Sequence, residues 1–269
     1  MKIKHALLDP AEVVYENHIF YQHSLQRQGK FEEVYQQIRY EEGRVYTDDI
    51  VRALPRIPLA HPRSKEWRVR THTTKRLMRH IHRGCENRQC TILDIGCGNG
   101  WLCNHLASMP GTNVLGVDIN ETELRQAARV FGERDNLSFV YGNILSLKIP
   151  LAAFDYIILA ATIPYFRDLG SLFSRLRALL RKEGEIHVLD SPIYERDNVA
   201  KIRSLSKMHF SRHNSALGEF YYHHSWEEFN NISYDLAYDP RTLKNRLLAL
   251  CSLASPFPWL RMSKDPEVT

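Results

Sequence analysis

The residues best suited to chemistry follow a short apolar run that ends near Ile95. Gly96, Gly98 and Gly100 stand at alternate positions after it, and Asp94 precedes the first glycine by two residues. Glycines in this pattern let the backbone turn sharply and let a ligand approach the main chain. Because the next segment can form a helix, the pattern predicts a strand, a tight turn and a helix start that bind a nucleoside-containing cofactor.

A second acidic residue indicates which cofactor this turn binds. Asp118 ends the next apolar run, at about the 20-residue distance where a carboxylate is expected to bind ribose hydroxyls. The spacing G-x-G-x-G differs from the G-x-G-x-x-G of dinucleotide sites, and Asp94 would repel a pyrophosphate. The turn therefore favours a cofactor with a cationic amine. An NAD-dependent oxidoreductase is the alternative that this spacing disfavours.

Side chains that could take a proton from a substrate lie outside the turn. Tyr165 follows the predicted fourth strand and Asp190 the fifth, which places both at the edge of the sheet where ligands bind. His223 and His224 lie in an aromatic segment that could close over the site. These four residues are the candidate catalytic groups.

The cysteines and histidines indicate neither a metal site nor a disulfide framework. Five cysteines are scattered along the chain, without the paired short spacing of a zinc site. The histidines between residues 209 and 224 match no known ligand pattern. The sequence therefore predicts five reduced thiols and no bound metal.

The composition predicts a globular cytoplasmic protein. The chain has 269 residues and is 43% hydrophobic, which is enough for a full core. No apolar run approaches the roughly 20 residues needed to cross a bilayer, and Met1–His5 does not introduce a signal peptide. We therefore expect no membrane partner. The mild charge of +5 is concentrated between Arg63 and Arg83, as either a solvated helix face or a nucleic-acid contact.

The elements that position the candidate residues alternate between strand and helix from residue 91 onward. Gly184 is expected to cap the helix that precedes the fifth strand. Such alternation predicts an α/β fold with a parallel sheet covered on both faces. The predicted strands span 91–95, 114–118, 137–141, 154–160, 185–189, 233–238 and 258–262, and the last of them is expected to run antiparallel at the edge.

Residues 1–83 are predicted to form a mostly helical N-terminal extension. Asp9 and Pro10 mark a first helix near Ala11, with further helices at 31–40 and 64–83. On the first helix, His18 and Tyr21 would share a face that could act as a lid. We expect residues 84–269 to form the main domain, with an insert at about 193–230 that covers the substrate.

Five ordered segments between residues 90 and 190 resemble the motifs of class I S-adenosylmethionine-dependent methyltransferases. The segments are 93–100, 114–119, 139–144, 154–158 and 179–186. The resemblance implies a Rossmann-like, seven-stranded, mostly parallel sheet with an antiparallel last strand and helices on both faces. It also implies S-adenosyl-L-methionine as the cofactor.

The resemblance implies a role for each matching residue. Asp118 would bind the ribose, Asn143 would accept a hydrogen bond from the adenine amino group, and the Ala160 carbonyl would lie near the sulfonium. The cofactor-binding residues implied in this way are Asp94, Gly96, Cys97, Gly98, Gly100, Asp118, Ile119, Asn143, Ile144 and Ala160.

The N-terminal extension and the insert at about 193–230 are expected to form a lid over the site. Such a lid fits a small molecule better than a polymer, whose groove must stay open. The predicted function is therefore methyl transfer to a small-molecule acceptor by in-line displacement. Two alternatives remain. A tRNA or rRNA base methyltransferase would use residues 63–83 as its backbone contact, and the segment Thr162-Ile163-Pro164-Tyr165 distantly resembles the motif of such enzymes. A non-catalytic S-adenosylmethionine-binding protein would have the cofactor turn without transfer.

Overall fold

The computed structural model describes residues 7–25, 29–212 and 216–264 of the chain. The strands are β1 (Val13–Glu16), β2 (Ile19–Gln22), β3 (Cys90–Ile95), β4 (Thr112–Asp118), β5 (Leu137–Tyr141), β6 (Phe154–Ala160), β7 (Leu180–Leu189), β8 (Asp235–Tyr238) and β9 (Trp259–Ser263). The helices are α1 (Gly29–Glu41), α2 (Asp48–Ala53), α3 (Ser64–Gly84), α4 (Trp101–Ala107), α5 (Glu121–Phe131), α6 (Leu169–Leu179), α7 (Arg196–Arg212) and α8 (Leu243–Leu250). Short 3₁₀ helices lie at Ile163–Tyr165, Ala216–Glu219 and Trp226–Phe229. Residues Met1 to His5, considered above as an N-terminal signal, lie outside the described part of the chain.

All described strands form one sheet, in the order β1-β2-β5-β4-β3-β6-β7-β9-β8. Strands β3 to β7 run parallel to one another, and β9 runs antiparallel to both of its neighbours. Buried clusters cover the two faces, one built with α3, α4 and α5 and the other with α6. The predicted α/β architecture with an antiparallel last strand is confirmed, although the sheet has nine strands where seven were expected.

The two additional strands come from the N-terminal segment, and the prediction of a helix there is wrong. Val13, Val14 and Tyr15 favour extended backbone, and β1 and β2 form a hairpin that adds to β5. Asn17 and His18 turn the hairpin with φ of 48° and 65°, as a two-residue turn of strands with right-handed twist requires. His18 therefore lies in the turn, with Nε2 3.6 Å from the Glu133 carboxylate, and shares no helix face with Tyr21.

The remaining N-terminal elements agree with the prediction. Helices α1 and α3 occupy the expected segments, and the proline-rich stretch between α2 and α3 is irregular. Trp67, Leu77 and Ile81 of α3 pack into the same buried cluster as β3 and α4. Helix α3 therefore shares the core of the sheet.

The boundary between α6 and β7 differs from the prediction. Helix α6 ends at Leu179 and β7 begins at Leu180, so Gly184 lies within a strand and caps no helix. A β-carbon at Gly184 would lie 2.9 Å from Leu180 Cδ2 and 3.0 Å from the Phe154 carbonyl oxygen. The close approach of two strands therefore explains why this position is a glycine.

The prediction of five reduced cysteines is also wrong. Cys85 and Cys90 form a disulfide, because the turn between α3 and β3 brings their Cα atoms to 5.8 Å, a separation that a disulfide spans. Cys97 and Cys103 are free and buried, and Cys251 is free and exposed.

Candidate active site

A cavity of ≈ 960 Å³ lies beyond the carboxyl ends of the parallel strands. The order of the sheet reverses at β3, which lies between β4 and β6. In open α/β sheets, ligands bind at such a reversal, beyond the carboxyl ends of the strands. Asp94, Asp118, Ala160 and Asp190 line the cavity from the ends of β3, β4, β6 and β7 in turn.

The glycine turn forms one wall of this cavity. Gly96, Gly98 and Gly100 have φ of 69°, 52° and 74°, a left-handed conformation that favours glycine. The Gly98 N–H donates to Asp118 Oδ2 at 2.8 Å, which joins the turn to the end of β4. Gly96 and Gly98 line the cavity, whereas Gly100 lies behind them as the residue that precedes α4.

Replacing Gly100 should destabilise the fold. A β-carbon there would lie 2.8 Å from both Ala127 Cβ and Phe139 Cζ, in a left-handed backbone conformation. We expect Gly100→Ala to lower the free energy of unfolding in urea by about 2–4 kcal/mol, from backbone strain and overpacking. The control Gly29→Ala has no atom within 4 Å of the new β-carbon, so its stability should change by about 0.5 kcal/mol or less. Equal effects in the two variants would contradict the predicted strain.

Asp118 is held at the rim of the turn by the backbone. Its Oδ2 accepts from Gly98 and its Oδ1 accepts from the Asn120 N–H at 2.8 Å. Each oxygen has a further lone pair, so the carboxylate can also accept from a ligand hydroxyl. Burial, together with the nearby Glu123 carboxylate, raises the pKa of Asp118 to about 7.

Asp94 is buried beneath the turn. The Cys103 thiol donates to Asp94 Oδ2 at 3.1 Å, and burial raises the pKa of Asp94 to about 7. A cationic ligand group nearby would favour the ionised carboxylate. The arrangement thus suits the amine-bearing cofactor that the sequence predicts.

The other residues expected at the cofactor also line the cavity, namely Cys97, Ile119, Asn143, Ile144 and Ala160. Asn143 is engaged locally: its Oδ1 accepts from the Leu145 N–H at 3.0 Å, and its own N–H donates to Gln22 Oε1 at 3.0 Å. Its side-chain oxygen therefore organises the turn after β5 and retains one lone pair for a ligand.

Several buried polar atoms in the cavity wall have no hydrogen-bond partner among the described residues. They are Asn99 Oδ1, Asn120 Nδ2, Arg39 Nε and Asp190 Oδ1. Buried polar groups are normally hydrogen-bonded, so a cluster of unpartnered ones indicates a polar ligand. Donors and acceptors are both present, as an amino acid joined to a nucleoside requires.

The methyltransferase domain family matches this chain over residues 86–236, more than half of its length. The chain belongs to the class I S-adenosylmethionine-dependent methyltransferases. The match begins before β3 and extends into β8, so it includes the glycine turn, Asp118 and Asp190. S-adenosylmethionine is therefore the cofactor of this methyltransferase, and the turn and the unpartnered polar atoms fit that molecule.

Two relatives of this methyltransferase each align with less than half of the chain. The ubiquinone biosynthesis O-methyltransferase of Rhodopseudomonas palustris is 33% identical over 94 residues, which cover 35% of this chain and 36% of the relative. A sterol 24-C-methyltransferase of Gibberella zeae is 28% identical over 118 residues, which cover 42% and 31% of the two chains. The chain thus spans about a third of the length of these curated relatives.

A solved structure confirms the fold. Phosphoethanolamine N-methyltransferase 2 of Haemonchus contortus, solved with phosphomonomethylethanolamine and S-adenosylhomocysteine, superimposes with a TM-score of 0.55 and 15% identity. The match covers 86% of this chain and 59% of the other. At this identity the similarity is one of fold alone.

The part of the cavity beyond the cofactor wall of the methyltransferase is aromatic. The Tyr165 ring centre lies 6.0 Å from Phe31, 5.9 Å from Tyr35 and 5.7 Å from Tyr221. Phe210 of α7 belongs to the same cluster. Burial raises the pKa of Tyr165 to about 12, so its hydroxyl remains protonated near neutral pH.

Asp190 is the second candidate catalytic residue that lines the cavity. It follows β7 with φ of 51°, lines the cavity and has one unpartnered buried oxygen. Burial raises the pKa of Asp190, and the positive charge of Arg70 opposes that shift. Of the four candidate catalytic residues, Asp190 combines access to the cavity with a free acceptor atom.

The two candidate histidines do not line the cavity. His223 Nε2 lies 2.7 Å from the Ser206 hydroxyl, behind the aromatic wall. His224 places Nδ1 2.8 Å from the Glu228 carboxylate and Nε2 3.1 Å from the Ile163 carbonyl oxygen. Both ring nitrogens of His224 thus face acceptors, and the residue fastens its segment to the loop after β6.

Sequence reasoning missed the contribution of α1. Its Tyr35 and Arg39 line the cavity, and the Arg39 guanidinium lies 3.6 Å from Glu123 and 5.4 Å from the centre of the Tyr35 ring. Helix α1 is held against the start of α5, where Gln36 Nε2 donates to Asn120 Oδ1 at 3.1 Å. The only signal in the sequence is the spacing of Phe31, Tyr35 and Arg39, which places them on one helix face.

One histidine–carboxylate group lies away from the cavity, and its hydrogen bonds disfavour a metal. In the described residues, His80, Glu185 and His187 place ligand atoms within 4.8 Å of one another. The Trp259 indole N–H donates to His187 Nδ1 at 3.0 Å, so the proton of a neutral His187 lies on Nε2, the atom that faces Glu185. A metal ligand would need that nitrogen unprotonated. The group is better explained as a partly buried cluster in which His80 Nε2 and His187 Nε2 both face the Glu185 carboxylate.

Proposed function

We propose that this protein transfers a methyl group from S-adenosylmethionine to an apolar or aromatic small molecule. One observation carries the proposal. The cofactor wall and the aromatic wall face a single cavity, which α1 covers on the side of α5 and the segment around Tyr221 covers on the side of β6. A polymer substrate would need an open groove, whereas this compartment favours a ligand that can be enclosed.

The cover of the cavity is fastened at several points. Thr122 donates from its N–H and its hydroxyl to Glu32 Oε1 of α1, at 2.7 and 2.6 Å. Tyr222 donates its N–H to the Pro164 carbonyl oxygen at 2.6 Å. We therefore assign substrate covering to α1, within the extension over residues 1–83, and to the insert at about 193–230 of the main domain over residues 84–269.

Different residues of the chain serve different parts of the reaction. When bound, S-adenosylmethionine supplies an electrophilic methyl group on a sulfonium. Asp118 would hold the ribose, the glycine turn would hold the methionine portion, and Asp94 would lie near the amino group. The aromatic wall orients the acceptor and excludes water, which is much of what such a transfer requires. Where the acceptor must lose a proton, Asp190 is placed to accept it.

The names of the relatives support an apolar acceptor. The relatives named above are a ubiquinone biosynthesis O-methyltransferase and a sterol 24-C-methyltransferase, and the cavity presents the rings of Phe31, Tyr35, Tyr165, Phe210 and Tyr221. Tyr35, Tyr165 and Tyr221 each add a hydroxyl to this otherwise apolar lining, so the acceptor is expected to carry an oxygen substituent on an apolar skeleton.

Ligand-induced thermal stabilisation provides the first test. S-adenosylmethionine and S-adenosylhomocysteine at about 100 times Kd should stabilise the protein by about 2.7 kcal/mol, and NAD should not. For a chain of this size, the shift in Tm should be roughly 5–10 °C. A shift with NAD alone would contradict the cofactor assignment.

The acceptor class is tested by following labelled methyl groups. S-adenosylmethionine with a radioactive methyl group should label hydroquinones or catechols that partition into organic solvent, and should leave total tRNA unlabelled. Label in the RNA fraction alone would favour the nucleic-acid alternative. Absence of label from every acceptor, in a protein that binds S-adenosylhomocysteine, would favour the non-catalytic alternative.

A further inference from the structure

Helix α8 presents leucine side chains to solvent. Leu243, Leu247 and Leu250 are 75%, 58% and 83% exposed, and no residue of this helix is buried. Their spacing of four and three residues places them on one side of the helix. We call these three residues the leucine face. Leu253, just beyond the helix, is also exposed and extends it.

Helix α8 and the segment that follows it are basic in composition. Residues 240–264 contain no aspartate or glutamate, and Lys244 and Arg246 are exposed on α8 itself. Neither cation forms an ion pair with a residue that the structure describes. Exposed leucines beside basic residues suit the interface of an anionic membrane, which accommodates apolar side chains and attracts cations.

Helix α3 adds a second basic surface. Arg68, Lys75, Arg79 and Arg83 are exposed at helical spacings on one side of α3, and we call them the basic stripe. Glu66 is the only acidic residue of that helix, and it is already paired with Arg44 at 2.8 Å. Within the described chain, the basic stripe has no ion-pair partners.

The helices that carry these two surfaces pack against the same edge of the sheet. The Arg76 guanidinium of α3 lies 4.9 Å from the Tyr238 ring centre and 5.8 Å from that of Trp259. Leu248 of α8 packs against the buried cluster that contains Tyr238 and Trp259. The Tyr238 hydroxyl donates to the Ser255 carbonyl oxygen at 2.8 Å, which holds the loop after α8 in place.

This edge is also a wall of the cavity. Ala249 and Ser252, at the end of α8, line the cavity together with Pro256 and Phe257 of the following loop. A surface that receives the leucine face would therefore lie beside the cavity.

We propose that the leucine face and the basic stripe dock this protein on an anionic lipid surface. The leucines would enter the boundary between headgroups and acyl chains, while the cations would attract the lipid phosphates. The sequence alone predicts no membrane partner because no segment is long and apolar enough to cross. Likewise, no described helix meets that requirement. Peripheral docking needs only one amphipathic face, so it requires no crossing helix.

The chemistry of the face favours lipid over two other occupants. A nucleic acid would use the cations but gains little from exposed leucines, since it is bound through phosphates and stacked bases. A second copy of the chain would bring the same basic surface against itself, and like charges would repel. A bilayer with anionic headgroups complements both the charge and the apolar side chains.

Vesicle co-sedimentation tests the proposal with the full-length protein. The protein should bind phosphatidylcholine vesicles that contain phosphatidylglycerol, and should bind vesicles of phosphatidylcholine alone much less. High salt should weaken the binding, because it screens the attraction of the basic stripe. No binding to the anionic vesicles, or equal binding to both, would overturn the proposal.

Variants on each surface identify the residues responsible. Leu247→Ser/Leu250→Ser should weaken vesicle binding roughly tenfold through lost apolar burial. Lys75→Gln/Arg79→Gln should weaken it about fivefold for each charge removed. The matched controls are Leu151→Ser, which is 65% exposed elsewhere, and Arg134→Gln after α5. Controls that lose binding as strongly as these variants would contradict the assignment of the site.

Two further measurements separate the other occupants. All variants should retain the thermal shift with S-adenosylhomocysteine, so a failure of docking is distinguishable from a failure of the proposed enzymatic function. Protein that binds tRNA but not anionic vesicles would overturn the proposal in favour of nucleic acid. A dimer in analytical ultracentrifugation that Leu247→Ser/Leu250→Ser dissociates, without any vesicle binding, would overturn it in favour of a second copy.

Discussion

Asp118→Ala is expected to weaken binding of S-adenosylhomocysteine by roughly ten- to hundredfold in isothermal titration calorimetry. The carboxylate accepts from Gly98 and Asn120, so its removal loses the ribose contact and also loosens the turn. The corresponding free energy is ~1.5–3 kcal/mol, as for a hydrogen bond to a charged group. S-adenosylhomocysteine is the better probe because it cannot transfer a methyl group during the titration.

Asp168→Ala is the matched control for this experiment. Asp168 is also an aspartate that accepts from a backbone N–H at the start of a helix, at 3.1 Å from Ser171, but it does not line the cavity. This control should lose some stability and keep its affinity. Unchanged affinity in Asp118→Ala would show that the ribose binds elsewhere.

The pH dependence of binding provides a second test of the same assignment. Burial raises the pKa of both Asp118 and Asp94 to about 7, so a large fraction of each carboxyl is protonated below that pH. Binding favours the ionised forms, which accept from ribose hydroxyls and attract the amine. Affinity should therefore rise with pH up to about 7 and then level off. The rise should be shallower in Asp118→Ala, where one of the two groups is gone.

The cofactor half of the site was predictable because its signals are local. The three glycines need left-handed backbone, and Asp118 ends a strand that pairs directly with β3, so sequence spacing alone places them together. The same holds for the alternating core, where short apolar strands buried on both faces leave few other arrangements.

The acceptor half was not predictable in the same way, because its residues meet only through tertiary packing. Tyr35 and Tyr165 lie 130 positions apart in the sequence and come within 5.9 Å between ring centres. No periodic pattern in the sequence indicates that α1 contacts the loop after β6. The N-terminal hairpin was missed for a different reason: Val13 to Tyr21 is too short for a clear period, and the turn signal at Asn17 lacks the glycine that usually accompanies it.

Asp190→Asn is expected to lower kcat about a hundredfold, for an acceptor that must lose a proton. Loss of a positioned general base typically costs 10²–10⁴-fold, and asparagine keeps the shape of aspartate while removing its basicity. Burial raises the pKa of Asp190, which strengthens it as a base near neutral pH. The measurement is the steady-state rate of methyl transfer to the acceptor that labelling identifies, together with the affinity for S-adenosylhomocysteine.

Tyr165→Phe is the comparison that distinguishes the two candidates in the cavity. Because burial raises the pKa of Tyr165 to about 12, its hydroxyl is a poor base, and its loss should mainly raise KM for the acceptor. Asp190→Asn should instead lower kcat, remove the acidic limb of the kcat–pH profile and leave cofactor affinity unchanged. If Asp190→Asn kept the wild-type kcat while Tyr165→Phe lost it, the roles of the two residues would be exchanged. The acceptor would then be oriented by the carboxylate and activated at the aromatic wall.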